Sequence, residues 1–265
     1  MGRKTCMTAL VCIMMLAGGT ALAQDVDLKT AAKAVVETDG GSVVVLKVVT
    51  SMTFSYEGEE SPSEEVESEA LGTVLNDTGL IVASDAATNP SKLRRYPQQY
   101  KVESQVKAVK LVLKDGTEVP LKTVLRDSDL DLVFLRPEQK ADLPHVDTGK
   151  AGAELELGDE AIVLSRLGAA GNRSPCISIG RVQAVVEKPR RFYVAVTVAN
   201  MSTLGCPVYT ATGELVGIAV IRTNAGPGVG QSGMSILPTV LPLADVLEDM
   251  AQIEEAGAEE QGKKE

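Results

Sequence analysis

About a dozen short runs of β-branched or alternating apolar residues, each closed by turn chemistry, limit what this chain can fold into. In the first half they are Val43 to Thr50, Leu71 to Leu75, Leu80 to Ser84, Val106 to Leu113, Val119 to Leu125 and Asp131 to Leu135, broken by turns such as Asn76-Asp77-Thr78-Gly79 and Lys114-Asp115-Gly116. The second half repeats the pattern at Glu160 to Ser165, Cys176 to Val186, Phe192 to Val198, Pro207 to Thr210, Leu215 to Arg222 and Gly233 to Leu237. Such spacing predicts an all-β sandwich or pair of barrels rather than βαβ units. Two helices frame it. Asp27 to Glu37 has an acidic start and Gly40-Gly41 as its stop, and Thr239 to Gln252 would lay Val240, Leu243, Val246, Leu247 and Met250 on the body. From Glu254 the tail is charged and is expected to fray.

The first 23 residues have the layout of a secretory signal. Arg3 and Lys4 supply the positive start, Met7 to Leu16 the apolar stretch and Ala21-Leu22-Ala23 the cleavage site, so the mature chain would begin near Gln24. Cys12 lacks the upstream leucine and small residue of a lipidation site, and no other stretch is apolar for long enough to span a membrane. A periplasmic or extracellular protein is expected. Losing the signal removes two of 26 bases and none of 36 acids, which leaves a net charge of −12. That surface repels phosphates and argues against a nucleic acid partner.

Cys6 and Cys12 leave with the signal, and Cys176 and Cys206 remain. In an oxidising compartment they form a candidate disulfide, although spacing alone does not bring two cysteines together. With a single histidine, the chain has no familiar zinc spacing, and no metal or cofactor is expected.

Four segments in order resemble the trypsin-like serine proteases in their HtrA-type bacterial form. Leu71 to Leu75 with Gly79 to Ala86 is similar to a strand pair that closes on the general-base histidine; here Ala86 holds that place. Leu113 to Glu118, followed by Arg126 to Leu135, resembles the segment whose aspartate orients the histidine, and that aspartate falls on Asp131. Leu157 to Gly168 with Ile177 to Val182 looks like the next family segment. Asn200 to Val208 with Gly213 to Ile218 is similar to the nucleophile loop, with Leu204 at the nucleophile position. Gly233 to Pro238 echoes the strand before the family's last helix.

The resemblance implies two packed antiparallel β-barrels, about residues 24–140 and 141–253, after a signal of residues 1–23 and before a charged tail of residues 254–265. It also implies a chain that ends without the PDZ domain many family members carry. Acyl transfer needs a nucleophile, a base within about 3 Å and donors aimed at the oxyanion. Alanine accepts no proton and leucine has no attacking atom, so the expectation is a pseudoprotease that binds a protein or peptide, with no triad intact at Ala86, Asp131 and Leu204. Its oligomeric state is left open. One alternative is a weak serine-type or cysteine-type endopeptidase with a displaced nucleophile at Ser202 or Cys206. Another is a structural or assembly role for two charged surface segments, the loop from Glu57 to Glu69 with seven glutamates and the basic stretch from Lys92 to Lys114.

His145 is read as a linker residue between the barrels rather than a substitute base. Gly228-Val229-Gly230-Gln231-Ser232-Gly233 fits G-x-G-x-x-G but precedes a strand and not a helix, so it is read as a hairpin turn. Three Asn-x-Ser/Thr triplets, at Asn76, Asn172 and Asn200, matter only in a eukaryotic secretory pathway.

Overall fold

A computed structural model describes residues 27–56, 59–89, 100–150, 152–198, 201–224 and 235–262. The signal-like segment, the 92–99 part of the basic stretch and the Gly228 to Gly233 motif lie outside the described residues. Helix α1 (Leu28–Asp39) starts where the Asp27 carboxylate accepts from the Lys29 N–H, and it ends at Gly40, whose N–H donates to the Val36 carbonyl. Strands β1 (Val43–Tyr56), β2 (Glu59–Glu60), β3 (Glu64–Val74), β4 (Ile81–Ser84), β5 (Tyr100–Val112), β6 (Glu118–Asp127) and β7 (Leu132–Pro137) follow. The one-turn helix α2 (Asp85–Thr88) lies between β4 and β5.

These strands form an antiparallel sheet in the order β2-β1-β3-β4-β7-β6-β5, which a β1–β5 ladder closes into a six-stranded barrel with β2 as an outlying addition. A second closed barrel contains β8 (Glu160–Arg166), β9 (Pro175–Val186), β10 (Phe192–Ala195), β11 (Pro207–Thr210), β12 (Leu215–Asn224) and β13 (Ser235–Pro242), in the order β10-β13-β12-β11-β8-β9. Helix α3 (Leu243–Gly262) packs on β12 and β13 and reaches β6 of the first barrel. A pair of closed antiparallel barrels is the fold class that the resemblance implied.

The alternation of β1 shows how they are joined. Val44, Leu46 and Val48 fill the first barrel, whereas Val43 and Val45 point the other way, into a core shared with Ile162, Val163 and Leu164 of the second. Both faces of the strand are buried, so its start reads as a continuous apolar run. Each fully buried leucine or valine here contributes about 1.5–3 kcal/mol. Although α1 precedes the first barrel, it packs on β8 and β9. Tyr209 of β11 donates its hydroxyl to Asp39 at 2.8 Å, while burial raises the Asp39 carboxyl pKa above its ordinary value against that hydrogen bond.

Several expectations are corrected. The acidic run is not a surface loop: Glu64 to Glu69 belong to β3 and pair with Lys47 to Met52 of β1. β5 begins at Tyr100, six residues before the apolar signal. Val196–Val198 is a 3-10 turn, and residues 239–242 belong to β13, so the last helix starts at Leu243. That helix continues past Glu254 to Gly262 rather than fraying at residue 254.

Candidate functional site

The cleft between the barrels is built around Asp131. Its backbone is left-handed (φ 61°), which puts its carbonyl on the Asp85 N–H at 3.0 Å and its carboxylate behind α2. Oδ1 accepts from the Ala86 N–H at 2.8 Å, while Oδ2 accepts from the Ser84 hydroxyl at 2.6 Å and the Ile221 N–H at 2.9 Å. Donors from both barrels therefore meet on one carboxylate. Ser84 also caps α2, its hydroxyl oxygen accepting from the Ala87 N–H. The neighbouring Asp85 is buried and pairs with Arg126, with the Ser128 hydroxyl donating to its second oxygen at 3.2 Å.

The side chains above this carboxylate are apolar. Ala86, Leu204 and Ile221 form one buried cluster, each no more than 3% exposed, with Ala87 against it. Leu204 follows a 3-10 turn at Met201–Thr203 and directs its N–H back to the Met201 carbonyl, at 3.4 Å. Next to it, Gly205 has φ +83° and approaches β3 so closely that an added Cβ would lie 2.3 Å from the Leu71 carbonyl oxygen. Thr73 donates its hydroxyl to the Gly205 carbonyl at 2.7 Å. These contacts clamp the loop onto the first barrel, which is why only glycine suits position 205.

Beside the cluster is a cavity of about 250 Å³ whose wall includes Leu71, Ala86, Leu167, Met201, Ser202 and Leu204. Leu167 and Met201 are 45% and 40% exposed, and Ser202 is exposed on the same wall. Arg166 supports this region, its guanidinium donating to the carbonyls of Gly40, Val43 and Arg173, so its charge holds backbone from three segments. Burial lowers its pKa from the ordinary arginine value.

Structure thus brings Ala86, Asp131 and Leu204 together and puts Ser202 on the cavity beside them. Cys206 is elsewhere in kind: fully buried, its thiol pKa pushed up by desolvation. The candidate disulfide is not formed, and both cysteines are free. Ser165 of β8 is the register partner of Cys176, and the β8–β11 ladder runs beside Cys206, so a strand stands between them. His145 is exposed on the connection between the barrels, near Asp39, whose carboxyl pKa stays raised by burial against the opposing charge of His145. Ile221 escaped notice in the sequence, because its backbone N–H reaches Asp131 from ninety residues away. Leu167 and Met201 carried no signal of their own either. Among the described residues, no group of three or more His, Cys, Asp and Glu is placed to hold a metal, and no helix is long and apolar enough to cross a membrane.

Residues 70–218 match the family model of the trypsin-like peptidase domain. A curated relative, the probable periplasmic serine endoprotease DegP-like of Rhizobium meliloti (strain 1021), is 29% identical over 132 residues, 49% of this chain. The chain aligns with 26% of that relative's length. Among solved structures, a variant of the HtrA-type protease AlgW with decapeptide superposes with a TM-score of 0.59 at 17% identity, covering 85% of this chain and 67% of that one. At that identity the likeness concerns the fold alone.

Proposed function

Because this chain belongs to the trypsin-like peptidase domain family, we propose that it is an exported, HtrA-like pseudoprotease whose inter-barrel cleft holds an extended peptide without cutting it. Ala86, Asp131 and Leu204 take the positions of base, orienting carboxylate and nucleophile. One observation carries the reading. The Asp131 carboxylate is occupied by the Ser84 hydroxyl and the N–H groups of Ala86 and Ile221, beneath a lid of alanine, leucine and isoleucine. That leaves no proton acceptor and no attacking atom where acyl transfer would need them. Removing members of such a triad costs roughly a millionfold in kcat.

The displaced nucleophiles fare poorly on the same chemistry. The buried Cys206 thiol is held protonated, and the thiolate is the reactive form. Ser202 is reachable, but the chain's single histidine, His145, stands at the connection near Asp39. Binding has better support. The cavity beside the cluster exposes apolar side chains at Leu167 and Met201, and the AlgW structure of the same fold carries a decapeptide. The signal-like start and the periplasmic description of the DegP-like relative favour an exported protein.

Residues 24–265, immobilised and panned with a random peptide pool, should retain extended peptides that mass spectrometry recovers intact. The Leu167→Asp/Met201→Asp variant should retain about tenfold less, as expected when an apolar anchor site is lost. Retention of nothing by a chain that unfolds cooperatively on heating would contradict the reading.

A further inference from the structure

The cleft has an open approach on the first barrel. β3 pairs with β1 along residues 64–73, but β4 joins its other side only from Gly72. Among the described residues nothing pairs with that outer edge from Glu64 to Ala70, and at Leu71 the backbone of Gly205 packs against it. Every second residue there presents its N–H and C=O outward, as an unpaired strand edge does. The edge does not end in solvent. Its last residues, Glu69, Ala70 and Leu71, line the same cavity as Ala86 and Leu204.

The charges along this edge are lopsided. Glu65, Glu67 and Glu69 alternate on one face of β3, with Glu64 on the other, and all four are exposed. Lys47 pairs with Glu67 at 2.8 Å and Arg173 with Glu69 at 2.5 Å, whereas no cation among the described residues pairs with Glu64 or Glu65. β5, on the opposite side of β1, differs: Lys101 pairs with Glu103 and Lys107 donates to Gln105. Acid is left unanswered on the edge that leads to the cavity.

We infer that the β3 edge receives a basic extended segment of a partner protein, added antiparallel as a further strand, with an apolar side chain at its amino end seated in the cavity beside Leu204. This inference rests on the cleft reading and names the class of peptide. Antiparallel addition follows the β1–β3 and β3–β4 pairings and runs the ligand outward from Leu71 towards Glu64. The period of two then fixes a recognisable pattern: an apolar residue first, then Lys or Arg at every second position facing Glu69, Glu67 and Glu65. A plain anti-aggregation role for the glutamates predicts no such ligand.

The test uses acetyl-Leu-Thr-Lys-Thr-Lys-Thr-Lys-Thr-amide with a fluorophore, the same peptide with Gln for Lys, and a lysine peptide N-methylated at alternate residues. Each is titrated into residues 24–265 and into the Glu64→Lys/Glu65→Lys variant, whose fold is checked by circular dichroism. The lysine peptide should bind at least about fivefold more tightly than the glutamine peptide, and the charge-reversed variant and added salt should each erase that advantage. N-methylation should abolish binding. Equal affinity for the two peptides, or binding unaffected by N-methylation, overturns the inference while leaving the cleft reading intact. Failure of every peptide, including the leucine-bearing glutamine form, overturns both.

Discussion

Two buried aspartates in this molecule meet opposite fates. Asp131 and Asp249 are 7% and 6% exposed. Around Asp131 the fold supplies two backbone N–H groups and a hydroxyl, which satisfy its buried oxygens. Asp249, on α3, has a buried Oδ2 with no hydrogen-bond partner, and its carboxyl is pushed up to about 6. Desolvation is the main cause, followed by the negative charges of Asp127 and Glu248, with Arg190 opposing and Asp245 adding to them. One carboxylate is a joint between barrels and the other a strain on a helix contact. The contrast shows what the Asp131 carboxylate does for the fold: its oxygens hold α2 and β12 in place.

The comparison breaks most clearly at the joint. Asp131→Ala would strand three buried donors and should cost about 3–5 kcal/mol, read as a lower urea midpoint, while Asp131→Asn should cost less because it keeps an acceptor and tolerates the left-handed backbone. Leu204→Ala opens space above the carboxylate and should cost about 2–4 kcal/mol by the same assay. Ser84→Ala removes one donor and the cap of α2, for about 1–2 kcal/mol.

Asp249→Asn should act in the other direction and most weakly. Because its folded pKa, about 6, lies above the ordinary 3.8, the native state holds the proton more tightly than the unfolded chain. Its contribution to stability is present below that ordinary value and is lost as pH rises through about 6. The variant should therefore raise Tm by about 2 °C at pH 8 and leave it unchanged at pH 4, as differential scanning calorimetry would show. A variant that destabilises at pH 8 would mean that the Asp249 carboxylate is as well satisfied as that of Asp131.

How much of this was legible in the sequence follows from which residues had to be apolar. Strands buried on at least one face, such as Ile81 to Ser84 and Leu132 to Leu135, were located by their apolar runs. The glutamates of β3 concealed a strand because an exposed edge needs no alternation, only backbone pairing with β1. Ala86, Asp131 and Leu204 could be brought together only through a resemblance. The N–H of Ile221 could not be foreseen at all, since backbone donors look alike in every sequence. Cys176 and Cys206 show the same limit: their separation across β8 is a matter of register, which spacing along the chain does not encode.

The central claim is most directly tested by incubating residues 24–265 with fluorescently labelled unfolded casein, beside the Ser202→Ala and Cys206→Ala variants. The account predicts no cleavage above background from any of the three. Turnover that disappears in one variant would contradict it and identify that residue as the nucleophile.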